Sequence, residues 1–282
     1  MFKEMLPTVE EFNRYCPVAK DPNNKVYVKC IPALEAAARR LQTELLGPVM
    51  PEALSEAAGN TLAHLVCVTA LADMLPQLDL VMTPTGAGVV SNDNLAPASR
   101  ERVEALARQL RRQADAQTDA LIEHLRDMVV PDGDQTLAWA ATEQAATAMP
   151  TFLYSGLHMQ RYAGKPEATR SDAIEAMPAV ETATLKLRHL VGDELIDHLL
   201  QLQRRRGAAT ALETIVTVNI RTCLGLALRD NHPAAHAAER LLLKNLETHL
   251  ADFPLYANSS AYRANHTPAY ENKKDSSSFF FS

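Results

Sequence analysis

The chain has 282 residues, 47% hydrophobic and 22% charged, the balance of a folded globular protein and not of a disordered or fibrous one. Its 28 Lys and Arg against 34 Asp and Glu leave a formal charge of −6, so it has no global attraction to phosphate backbones. The four cysteines, Cys16, Cys30, Cys67 and Cys223, form no Cys-x-x-Cys pair, which argues against a disulfide scaffold and a structural zinc site.

In chain order, residues 1–7 lack the apolar stretch of a secretory signal. Leu34, Ala37, Ala38, Leu41 and Leu45 then mark one face of a helix over 32–46, stopped by Gly47 and Pro48. A second helix is expected over 52–75, ending at Pro76. The most apolar window, 62–81, carries His64, Asp73 and Asp79, so no membrane span is expected there. The clearest helix is 97–128, with Val103, Leu106, Leu110, Ala114, Leu121, Leu125 and Met128 as its apolar stripe.

Pro131-Asp132-Gly133-Asp134 is a turn cluster and the expected linker. Further helices are expected over 136–148, 171–190, 194–205, 208–227 and 233–252. Cys67 and Cys223 lie in apolar runs and read as core, and Trp139 as a packing anchor. The fold class is therefore mainly α, a helical bundle with a small β element from the 83–92 loop and the C-terminal tail. It divides into a helical lobe 1–130, a second helical lobe 131–255 and an extended tail 256–282.

Pro32-Ala33-Leu34-Glu35 recurs as Pro178-Ala179-Val180-Glu181, and Gly47 finds a counterpart in Gly192. Two readings stay open: Ala-rich helices that resemble one another by composition, or a duplicated helical unit giving two similar lobes.

Chemistry is sparse. Gly86-Ala87-Gly88 looks like part of a dinucleotide fingerprint, but no helix opens inside the glycines, so the reading fails. Val89-Val90 reads as a short strand, and Thr83, Pro84, Thr85, Gly86, Gly88 and Asn92 as an ordered connection that packs or makes contacts. His232, His236 and Glu239 have the helical spacing of three metal ligands, with cap and surface roles as the plainer reading. The carboxylates look scattered, so no acid–base pair, catalytic residue, metal or cofactor is expected. In the tail, Tyr270 and Asn272 precede a Lys-Asp-Ser spacer and Phe279, Phe280 and Phe281. An apolar end of this kind needs a covering surface, on its own chain or on a neighbour.

Residues 82–92 followed by Leu95-Ala96-Pro97-Ala98-Ser99-Arg100-Glu101-Arg102-Val103, together with Tyr270-Glu271-Asn272-Lys273-Lys274-Asp275-Ser276, resemble an uncharacterised family encoded in prophages of gut anaerobes. The early helices are also similar in pattern to phage head–tail connector proteins, small helical subunits that form a ring beneath the portal. The resemblance implies a non-enzymatic virion component. It would be a head–tail adaptor or neck subunit, contacting other copies of itself and neighbouring portal and tail proteins through the 83–92 loop and the tail. It would be assembled in the bacterial host cytoplasm. The basic run Arg204 to Arg206 could face exiting DNA, without a DNA contact being part of the expectation. The alternative is a cytoplasmic helical protein with a small-molecule or metal site at His232, His236 and Glu239.

Overall fold

The computed structural model describes residues 5–78, 80–83, 86–89, 99–132 and 135–266; for 80–83, 86–89, 130–132 and 135–136 the backbone alone is described. The chain is mainly α-helical, as its periodicity predicts.

The first half is built from α1 (Val9–Tyr15), α2 (Lys25–Leu41), α3 (Glu56–Met74) and α4 (Arg100–Leu125). Two hairpins complete it: β1 (Leu80–Thr83) with β2 (Gly86–Val89), and β3 (Val129–Asp132) with β4 (Gln135–Ala138). Thr8 opens α1 with a capping box to Glu11, and Ser55 and Ser99 cap α3 and α4, each satisfying an amide that the first helical turn leaves free. Thus α4 starts at its serine cap and not at Pro97. Helix α2 runs on through a π-helical turn, Gln42–Leu46, into Gly47 at φ +58°. There the Gln42 side chain donates to the Gly47 and Val49 carbonyls, at 2.8 and 3.0 Å. A left-handed residue at this stop is what glycine permits without strain.

The segment 135–148 departs from the expected helix. Residues 135–138 are strand β4, a 3-10 turn follows at Trp139–Ala141, and only α5 (Glu143–Ala148) is helical. The expected linker 131–134 lies within the β3–β4 hairpin, whose register runs from Val129↔Ala138 to Asp132↔Gln135. Asp-Gly between two strand-forming runs is a hairpin signal.

The second half comprises α6 (Gly156–Ala163), α7 (Arg170–Glu175), α8 (Met177–Val191), α9 (Asp193–Arg204), α10 (Ala211–Ala227), α11 (His232–Thr248), α12 (Pro254–Ala257) and α13 (Ser260–Asn265). The helix expected over 171–190 breaks at Ala176, and Pro178 stands in the first turn of α8, where its missing amide costs nothing. The matched Pro32 instead lies inside α2, so the two prolines hold different helical positions. The chain from 256 is not extended as far as His266: α12 and α13 are helical and Tyr256 is fully buried. Helix α10 crosses α6 at Gly225, where a Cβ would strike the Tyr162 carbonyl.

Two apolar cores result. The first gathers Phe12, Leu34, Leu46, Leu65, Leu71, Leu121, Ile122 and Leu125, and includes Trp139 and Met149. The second begins at Phe152 and gathers Val180, Leu195, Ile196, Ile220, Leu242 and Tyr256. Trp139, Ala145, Ala148 and Met149 pack with the first core, and Phe152 and Leu153 with the second. Residues Glu56–Gln77 form a stretch long and apolar enough to cross a membrane by length and composition. Here it is packed between α2 and α4.

Candidate functional site

Of the residues expected to make contacts, Thr83, Gly86 and Gly88 fall in the first hairpin. Its antiparallel register is Leu80↔Val89, Val81↔Gly88, Met82↔Ala87 and Thr83↔Gly86. The two strands of the hairpin pair with each other, and the tail expected to join this β element lies outside the described residues from 267 on. Pro84, Thr85, Asn92, Tyr270, Asn272, Phe279, Phe280 and Phe281 lie outside the described residues. Among the described residues neither hairpin pairs with a third strand. An isolated two-stranded hairpin is marginal in water, and an open edge is a template for another strand.

The most developed polar arrangement was not expected from the sequence. It is a row of carboxylates four residues apart along α4 and just past its end: Asp115, Asp119, Glu123 and Asp127. All four reach across to the second half. Asp115 accepts from the Ser171 amide at 3.1 Å and Asp119 from the Gly156 amide at 3.0 Å. These are amides at the starts of α7 and α6, where negative charge suits the helix dipole. Asp119 also pairs with Arg170 at 3.0 Å, and Arg170 donates onward to the Tyr154 and Ala148 carbonyls at 3.3 and 2.6 Å. Arg170 is only 9% exposed. Burial pushes the Asp119 carboxyl up, against the pull of Arg170. Glu123 accepts from the Tyr154 hydroxyl at 3.2 Å and pairs with Arg126 and Arg206, and Arg206 also meets Asp127 at 3.4 Å. Of the basic run 204–206, Arg206 is thus engaged on this seam.

Beside the seam lies a cleft of about 500 Å³ walled by Arg40, Leu65, Asp73, Arg111, Asp115 and Ile174. It mixes opposite charges over an apolar floor and gathers no convergent set of reactive groups. The nearest thing to a nucleophile–base pair is Ser155 Oγ, 3.0 Å from His158 Nδ1. That serine caps α6 by accepting from the His158 amide. Burial first, then Arg221, Arg126 and Arg161, push His158 down to about 3. A general base works best near the operating pH, so this imidazole is a neutral structural group.

The same depression has a stability consequence. Below its ordinary value of 6.5 the unfolded chain takes up a proton at His158 that the folded chain refuses. Stability is therefore lost as pH falls from that value toward 3, by about 3 kcal/mol between pH 7 and pH 4. Urea unfolding across this range checks it. The loss should shrink in His158→Phe, and equal pH slopes for the two proteins would sink the argument.

His232, His236 and Glu239 do not assemble a metal site. Glu239 is held by Lys186 at 2.7 Å and by His236 at 3.0 Å. Burial alone would raise its carboxyl, but these two partners hold it below the usual range. Among the described residues no three His, Cys, Asp or Glu are grouped to hold a metal ion. Cys16, Cys30 and Cys67 lie close together in the first core. Burial raises all three thiols, Cys16 to about 12 and Cys30 to about 11, so they stay protonated and inert.

The fold and this seam define a mainly α-helical protein of two cores clamped along one shared helix. Residues 24–130 match the sequence profile of a family of unknown function (DUF6712), a match that takes in α2, α3, the first hairpin and α4. No curated protein and no solved structure matches the chain.

Proposed function

We propose that the chain is a non-enzymatic structural subunit of a phage particle. It is a head–tail adaptor that works in a ring of its own copies, through protein–protein contacts with neighbouring portal and tail proteins. The observation that carries this reading is the pair of two-stranded hairpins, one preceding and one following α4, neither paired with a third strand among the described residues. An unpaired strand edge accepts a strand from a neighbour. The polar groups of the seam are engaged with one another, which leaves the chain chemistry suited to holding shape. The resemblance of 82–103 to prophage-encoded proteins supports the class, and the first hairpin falls inside the stretch that matches the family profile. Exposed Val18, Val28, Leu157 and Leu185 add apolar surface that assembly would cover. On this reading the protein ends in the virion, after assembly in the bacterial cytoplasm.

Sedimentation and negative-stain imaging of the purified full chain test it. Concentration-dependent oligomers or closed rings are expected. Val89→Lys, which charges a hairpin edge, should weaken them while leaving the thermal melt unchanged. A chain that stays monomeric up to its solubility limit, alone and with portal protein present, overturns the proposal.

A further inference from the structure

The cleft beside the seam is walled by α2, α3 and α4 of the first half and by α7 of the second, around about 500 Å³. Small-molecule sites favour such junctions, and the volume lies in their usual range. The floor is apolar and packed: Leu45, Leu65, Ala72 and Ala148 are each at most 5% exposed.

Six charged side chains stand on the walls, and two of them are already committed. Asp115 accepts from the Ser171 amide, and Arg170 is held by Asp119 and two carbonyls. The other four, Arg40, Glu44, Asp73 and Arg111, have no hydrogen bond or ion pair among the described residues. Spacing alone would pair some of them. Arg40 and Glu44 stand four residues apart, the step at which Arg100 and Glu104 close to 2.6 Å on α4. Arg111 stands four before Asp115, whose carboxylate is turned to the seam. Two guanidiniums and two carboxylates are thus left free around one apolar floor. A ligand of a single sign would gain from one pair and be repelled by the other. A molecule that carries both signs on an apolar body satisfies all three surfaces. Guanidinium forks match a carboxylate, and free carboxylates accept from an ammonium group.

We propose that this cleft binds a free amino acid with an apolar side chain, its carboxylate met by the free guanidiniums and its ammonium by the free carboxylates. The cleft binds and does not react, and the occupant braces α2, α3 and α4 against α7. The proposal stands whether or not the protein forms a ring. Calorimetric titration of the full chain with L-leucine and L-phenylalanine tests it. At least one of them should bind, at one molecule per chain. The N-acetyl derivative of that amino acid, which lacks the ammonium, and its amide, which lacks the carboxylate, should each bind at least roughly tenfold more weakly. Arg111→Gln and Asp73→Asn should each weaken the parent amino acid by a similar factor. Both side chains are exposed and unpaired among the described residues, so the thermal melt of the ligand-free protein should stay unchanged in both variants. Silence with both amino acids, equal binding of either derivative, or binding indifferent to the two substitutions overturns the proposal.

Discussion

Arg170→Ala is expected to cost about 3–5 kcal/mol of unfolding free energy, read as a lower urea midpoint. Arg170 has three partners: the Asp119 carboxylate and the carbonyls of Tyr154 and Ala148. Truncation removes all three bonds at once. It leaves Asp119 with the Gly156 amide as its remaining partner across the seam. A stranded buried charge costs more than the pair contributes, so adding Asp119→Asn to the truncated chain should recover part of the loss. A single-variant cost under about 1 kcal/mol would mean that the seam behaves as a solvated surface pair. No recovery in the double variant would locate the cost in the carbonyls instead.

Trp139→Ala should be as severe, at about 3–5 kcal/mol. The indole is fully buried in the first core, and its Nε1 donates to the Leu45 carbonyl at 2.9 Å. It therefore ties the β3–β4 segment to the π-helical turn that ends α2. Trp139→Phe separates the two contributions: it keeps most of the apolar area but leaves the Leu45 carbonyl unpaired, for about 1–3 kcal/mol. Differential scanning calorimetry on the three proteins should place the Phe variant between the others. Equal losses for Phe and Ala would show that the hydrogen bond, not the area, fixes this contact.

The helical class was legible because α2, α4, α9, α10 and α11 each carry an apolar stripe of helical period, while α3 is apolar nearly all round. The serine and threonine caps were not read, and Pro97 drew the start of α4 too early. The second hairpin was not read, because Gln135–Ala138 is short and runs directly into the turn that places Trp139. Without β4 the segment 131–134 read as a linker, although Pro131 and Asp132 belong to β3. The strand signal at the end of the 83–92 loop was legible in part: Gly86–Val89 is a strand, paired with Leu80–Thr83. The seam left a faint trace in the spacing of Asp115, Asp119, Glu123 and Asp127. A four-residue acidic period on one helix usually means a solvated face. Only the approach of α6, α7 and Arg206, set by contacts distant in sequence, turns it into a clamp.

The acidic row has a further property that follows from its period. A step of four residues on a helix of 3.6 turns the side chain about 40°, so the carboxylates wind gradually around α4 and do not form a straight line. The second half is therefore fastened along a shallow spiral, each acid meeting its own partners at its own height and angle, with Arg206 shared by Glu123 and Asp127. This works as a vernier. A substitution at one tooth removes one engagement and leaves the others in phase. One residue inserted or deleted between Asp115 and Asp127 would swing every later carboxylate by about 100° and put them out of phase together. The register between Asp115 and Asp127 is thus more sensitive to a change of length than to the loss of any single carboxylate.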